Sequence, residues 1–453
     1  MKKASKRAPW PVIILIAAFL CPTELSLYIA GLRFPPHRVA LFILFPIAIV
    51  RLFSQRGLKL TGFDIFFVLF NVWITALYMH HQGAQEGLVY GGSQALESLG
   101  GYLVARVWVR TQADLRATMR ALGWAIFVAA MFALPEFLLG KIYTHEILHQ
   151  WTGYYHPIGY EQRLGFTRAY SVFDHPIHYG TFCATMAAMY WYAENTLKNR
   201  IKKAALLVSA TIMGLSSAPL LCLGLQGGML VWDRMTKRLR NRAVITFTII
   251  AGLYIGASLV STRGPIAVMA TSMTLDPWTG FYRLQIWENG IANVWQYPLI
   301  GIGLADWQRP AWMVSSTIDA FWLVIMLRTG VPSLLLLIIG FTLLIRRVNK
   351  HGLKNKDPKV RNLARGWMMS FIALSMISTT VHLWNVPFTF FFFFVGCAGW
   401  IADPLKVRAK ASKPVTARLE PEPQDWTPTP WPQPGPMRPA IAPPPLPAGA
   451  YAY

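Results

Sequence analysis

Apolar residues along this chain gather into long runs and do not alternate with polar ones. Runs of roughly 17–25 residues recur over nearly the whole length, each long enough to cross a bilayer as a helix. Twelve crossings fit best, at approximately 11–31, 39–53, 63–80, 93–109, 117–138, 171–194, 204–217, 218–232, 243–261, 318–345, 366–383 and 386–402. The pattern therefore predicts an all-α polytopic membrane protein with about 12 transmembrane helices. Segment 204–232 is the awkward one. Basic clusters flank both ends, so the ends share a side, yet its length gives only about 14 residues per leg. Gly214, Ser216, Ser217 and Pro219 suit a turn at its middle, and a short, kinked hairpin is expected there.

Two polar stretches, about 139–169 and 261–317, form long loops on the outer side; the other outer connections are short. Beyond Asp403 the chain becomes Pro-rich (PEPQDWTPTPWPQPGPMRPAIAPPPLP) with few aliphatic residues. Such a segment cannot bury a core. The expected organisation is a transmembrane domain over 1–403 and a disordered cytoplasmic tail over 404–453. The WTPTPWPQP portion of the tail could present a polyproline II strip to a partner.

Composition agrees with this picture. The chain is 54% hydrophobic and 14% charged, where a soluble domain carries about 25% charged residues. The net charge of +23 looks like a nucleic-acid signal until its distribution is read. Most Lys and Arg lie in short segments (2–7, 51–59, 106–120, 198–203, 234–242, 346–365 and from 406 onward) where even-numbered crossings return to the starting side. That is the positive-inside pattern, with both termini cytoplasmic and no nucleic acid as partner. The basic N-terminus precedes an apolar run without a small-residue cleavage site, so the first span is expected to be retained. Cys21, Cys183, Cys222 and Cys397 all lie in apolar runs and read as packing residues.

Candidate chemistry collects on the outer side. All histidines except His351 fall there, with Arg163, Arg168, Arg263, Arg283 and Arg309, although outer loops normally avoid basic residues. Arg283 sits in FYRLQIW, spaced like an amphipathic helix lying against the membrane. Trp287 and a Pro298-Leu299-x-Gly301-x-Gly303 turn follow it. Arg168 opens RAYSVFDHPIHYG, containing Phe173, His175, Pro176, His178 and Gly180. His175 and His178, three apart, could hydrogen-bond sugar hydroxyls or serve as a cap and interfacial packing. They lack the further ligands a zinc site requires, so no metal is expected.

Asp319 stands at the mouth of the next span, with Gly330 and Ser333 following. On a continuous helix both return to within about 40° of Asp319, leaving a groove of small side chains beneath a carboxylate. Asp319 could act as a general base or as a helix N-cap. Arg328, inside the same span, needs a partner, for which Glu24 and Glu97 are candidates. His382, in the VHLWNVP turn, could border the same site.

The region 280–333 resembles the signature of the O-antigen ligase and O-antigen polymerase superfamily, and the resemblance runs over about 7–403. It implies a lipid-carrier-dependent, metal-independent glycosyltransferase bundle in the bacterial inner membrane, needing no cofactor and working at the periplasmic face. Its donor would be an undecaprenyl-diphosphate-linked glycan, surrounded by membrane lipid. Arg168 and Arg283 would hold the diphosphate, a task suited to guanidinium's forked donors and permanent charge. Asp319 would activate the acceptor. Trp287, Gly301, Gly303, Gly330, Arg328, His175, His178 and His382 would line the substrate. The Pro-rich tail would meet other polysaccharide-assembly proteins. Ligases carry a histidine where this chain has Asp319, which favours a polymerase over a ligase acting on lipid A core or protein. A flippase for the lipid-linked glycan would also need a cationic cavity, but no internal repeat supports transport.

Overall fold

The computed structural model describes residues 7–29, 31–55, 57–239, 241–260 and 274–404, with Gly435, Pro436 and Ala442. The chain divides into two units, 1–406 and 407–453. Apart from Pro404 and those three residues, the expected disordered tail and its polyproline strip lie outside the described residues, as does Arg263.

The first unit is helical. Helix α1 (Trp10–Phe19) is only ten residues long, because Pro22 lacks an N–H and disfavours helical geometry at Cys21 before it. A short antiparallel hairpin of β1 (Leu27–Ile29) and β2 (Leu32–Phe34) follows. The crossing expected over 11–31 is thus a short helix and a hairpin, not one continuous span. Helices α2 (Pro36–Ser54), α3 (Gly62–Gln82), α4 (Ala84–Trp108) and α5 (Gln112–Leu139) come next. Thr61 and Thr111 start α3 and α5 by capping boxes, each hydroxyl accepting from an Asp N–H three residues on while that Asp carboxylate bonds back. The loop at 139–169 holds α6 (Tyr143–Thr152) and a second hairpin of β3 (Gln162–Arg163) and β4 (Phe166–Thr167).

The expected span 171–194 is two helices, α7 (Pro176–Ala184) and α8 (Ala187–Ala193). Gln226 stitches the break, accepting from Ala188 N at 2.9 Å and donating to Ala184 O at 2.9 Å. Gln226 belongs to α10 (Ser217–Met235), which pairs with α9 (Leu197–Met213) as a hairpin turning at 214–216. Its legs, 17 and 19 residues, are longer than the apolar run alone suggests, because both helices continue into the basic clusters. Then follow α11 (Arg242–Val260), α12 (Pro277–Gln296), α13 (Phe321–Val348), α14 (Pro358–Ile377), α15 (Val386–Gly396) and α16 (Gly399–Ala402).

A helix or helix pair stands at each expected crossing, but among the described residues only four are both long and apolar enough to span a bilayer: α2, α3, α5 and α13 with its extension. Helix α11 is apolar over Val244–Gly256, and the rest are short, broken or too polar for that criterion, so about twelve spans do not follow from length and composition.

Every residue of α15 is buried, so a helix apolar all round forms the centre of the bundle. Helix α2 does the opposite, exposing Phe42, Ile43, Val50 and Phe53 outward. An apolar face of that kind suits lipid better than water. At the basic end, Asp403 lies 3.1 Å from Arg106 and 3.3 Å from Arg110, and Arg106 lies 3.3 Å from Asp64. This buried network ties α3 and α4 to the end of α16.

Candidate active site

At the end of the bundle away from that network, the described part of the second polar stretch, 274–317, holds α12 and a packed turn region. The apolar face of α12 contributes Ile286 and Val294 to a separate small core with Trp307, Met313, Ile318, Leu323 and Leu327. The amphipathic helix expected around Arg283 is therefore present, packed on α13. Trp287, one turn beyond Arg283, donates its indole N–H to Thr379 O at 2.7 Å and fixes α12 against the turn after α14.

Arg283 is 8% exposed, and its Nε has no hydrogen-bond partner among the described residues. Burial pushes its pKa down, Asp319 opposes this, and Arg163 and Arg168 add to the downward push. Asp319, Arg163 and Arg168 are therefore each within electrostatic reach of Arg283, although 120 positions separate Arg163 from Arg283 in the sequence. Asp319 is half-buried; burial pushes its carboxyl up and Arg283 pulls it back. Asp319 does not cap α13, whose N-cap position is Ala320 without a side-chain cap bond. The first helical N–H, from Phe321, is taken up by the Ser378 and Val381 carbonyls. The capping role considered for Asp319 is thus filled by backbone, and the carboxylate stays within electrostatic reach of Arg283.

The β3–β4 hairpin delivers the other arginines. Leu164 and Gly165 both have positive φ, the conformation a two-residue hairpin turn requires. Arg163 lies on β3 and Arg168 just after β4, and Glu161 pairs with both. Arg168 is 4% exposed, and its Nε is without a partner among the described residues. Buried Glu136 of α5 holds the next stretch, accepting from Tyr170 N at 2.9 Å and Ser171 N at 2.8 Å. Arg163 was named only as one of the outer-side cations, and Glu161 and Glu136 had no part in the sequence reading. Their ionisable character was visible there, but not their convergence.

His175 caps α7, its Nδ1 accepting from Ile177 N at 3.1 Å, so the cap needs the neutral ring. Burial, with His178 and Arg168 nearby, pushes its pKa well below the usual value and favours that form. His178 packs on Trp384 with ring centres 3.7 Å apart and hydrogen-bonds His382 O at 3.0 Å. Asp174 joins the same corner by accepting from Thr23 at 2.6 Å and Asn385 at 2.7 Å. His382 and Trp384 also line a cavity of about 710 Å³ whose walls include Phe70, Phe321, Ile325 and Phe388, with Arg33, Arg38 and Glu97 among its polar lining.

Gly301, Gly303 and Gly330 have a backbone role. Helix α13 is broken at Thr329 and Gly330, and the Pro298–Gly303 turn docks into the break. Ile302 N bonds Leu327 O at 2.9 Å, Gly303 N bonds Arg328 O at 3.0 Å, and Val331 N bonds Pro298 O at 2.8 Å. Trp73 donates to Thr329 O at 3.1 Å, and His81 bonds Ile300 O at 3.0 Å. A Cβ on Gly301 would lie 2.5 Å from the Arg328 carbonyl carbon, and one on Gly303 2.6 Å from His81 Cβ. The expected groove of Asp319, Gly330 and Ser333 on one helix face does not exist. Asp319 precedes the helix, the break intervenes, the turn covers Gly330, and Ser333 is fully buried, bonded to Thr329 and Gly330. Arg328 likewise pairs with neither expected carboxylate. It donates to the Gly303 and Ala305 carbonyls, while Glu24 pairs with His145 and Glu97 with His37 and Arg38.

The cluster of Arg163, Arg168, Arg283 and Asp319 can hold a multiply charged anion and accept a proton beside it. No family model matches the sequence, and no curated protein matches it.

Proposed function

We propose that the protein is an integral membrane glycosyltransferase that polymerises undecaprenyl-diphosphate-linked oligosaccharide units at the periplasmic face of the bacterial inner membrane. In this reading the short and broken helices cross the membrane together with the four long ones, giving about twelve crossings. The single observation that carries it is Arg283, a buried guanidinium with an unpartnered nitrogen, within electrostatic reach of Asp319 and of two arginines from a separate hairpin.

A buried cation lacking a full set of partners is costly, and a phosphate oxygen supplies what is missing. Arg283 and Arg168, with Arg163 behind them, grip the donor diphosphate and stabilise the charge that grows as it departs. The acceptor hydroxyl attacks the anomeric carbon, forming the new C–O bond as the bond to the diphosphate oxygen breaks. The hydroxyl proton passes to Asp319, and configuration at that carbon inverts. The cavity of about 710 Å³ lined by His382 and Trp384 offers apolar walls for the lipid portion of a substrate.

The test uses protein in nanodiscs given undecaprenyl-diphosphate oligosaccharide, with products read by mass spectrometry. A ladder of lengthened lipid-linked glycans is expected, falling about 10²–10³-fold in Arg283→Ala. Arg283→Lys, which keeps charge but loses the fork, should fall between the two. A ladder unchanged in Arg283→Ala refutes the assigned site. Product seen only when lipid A core is supplied makes the protein a ligase. No transfer to any acceptor refutes the enzyme reading in favour of transport.

A further inference from the structure

A second cavity, about 510 Å³, lies at the opposite, basic end of the bundle between α8, α9, α10 and α14. Arg200, Arg234, Lys237 and Arg365 line it, against one carboxylate, Asp233. That carboxylate is already engaged, accepting from Tyr192 at 2.6 Å and lying 3.7 Å from Arg365. Arg200 gives its Nε to Glu194 O at 2.9 Å and lies 5.7 Å from the Trp191 ring centre. Arg234 and Lys237 are exposed and make no hydrogen bond or ion pair among the described residues.

Basic loops on a membrane protein are ordinarily a solvated rim, but here the charges converge on a cavity that also has an apolar side. Leu207, Val208 and Val231 belong to its lining, and Val208 and Val231 are 42% and 59% exposed on the outer surface of the helix hairpin. A soluble anion would match only the cations. A molecule with a phosphate head and hydrocarbon chains matches both parts, and basic pockets between membrane helices are suited to such heads.

We propose that this cavity binds one anionic glycerophospholipid. Its phosphate lies among Arg200, Arg234 and Lys237, and its acyl chains run along Leu207, Val208 and Val231. The lipid would tie together the ends of α8, α9, α10 and α14. The inference rests on the membrane reading of the chain and not on its glycan chemistry.

The experiment is native mass spectrometry of the detergent-solubilised full chain titrated with phosphatidylglycerol or phosphatidylcholine. One phosphatidylglycerol per chain should be retained about tenfold more strongly than phosphatidylcholine, and Arg234→Gln/Lys237→Gln should abolish that preference. Arg346→Gln/Lys350→Gln removes two exposed basic residues outside the cavity and should keep it. Val208→Trp fills the apolar side without touching charge and should also lose the adduct, which decides the matter if the double Gln variant fails to fold. Equal retention of the two lipids, or equal loss in the two double Gln variants, overturns the proposal.

Discussion

Replacing Gly330 with alanine tests the description of the broken helix directly. Gly330 has φ 78° and ψ 166°, a region open essentially to glycine alone, where a side chain costs about 1–3 kcal/mol. The new Cβ would lie 2.2 Å from Leu299 O and 2.5 Å from Leu299 C, both backbone atoms that no rotamer change can move. Relief requires the Pro298–Gly303 turn to retreat, breaking the three backbone hydrogen bonds that dock it, each contributing about 0.5–1.5 kcal/mol. The sum is about 3–7 kcal/mol, comparable with the whole stability of many domains. Thermal unfolding in detergent should show a fall of at least about 5 °C. Gly92→Ala is the control: no atom lies within 4 Å of its Cβ position, and alanine favours the helix by up to about 1 kcal/mol. If Gly330→Ala melts within about 1 °C of the parent chain, the docking described here is wrong. If it keeps stability but loses donor binding, Gly330 lines substrate after all.

Burial pushes the Asp319 carboxyl up. As the base it works only when deprotonated, so transfer should fall as pH drops through a pKa above the ordinary aspartate range. Asp319→Asn should be slow at every pH and lack that acidic limb; an unaltered limb in the variant would assign it to another group. His175→Ala should lose about 1 kcal/mol with the cap of α7, whereas His175→Asn should restore it, both read by thermal unfolding. An equal loss in both variants would mean that the cap bond is not what stabilises the site. Asp403→Ala leaves Arg110 buried without its carboxylate and should destabilise the basic end by about 3–5 kcal/mol, read by the same melt. An unchanged melt would show that backbone carbonyls alone satisfy these arginines.

The run lengths alone placed a helix at every expected crossing, because burying or lipid-facing apolar side chains over several turns leaves a backbone little alternative to satisfying itself. The same patterning marked FYRLQIW as an amphipathic helix. Breaks were harder to see. Nothing local announces that α7 and α8 part company until Gln226 is found bridging the gap, and Pro22, whose consequence was legible, was passed over within an apolar run. Gly330 carried the opposite lesson. Helical periodicity put it on a face with Asp319, but periodicity holds only while the helix is continuous, and a turn thirty residues earlier inserts its backbone there. Residue type and spacing determined which groups carry charge. Only the tertiary structure decided that Arg163, Arg168 and Asp319 all come within electrostatic reach of Arg283, because coupling depends on distance in space and a folded hairpin removes the separation that the chain imposes.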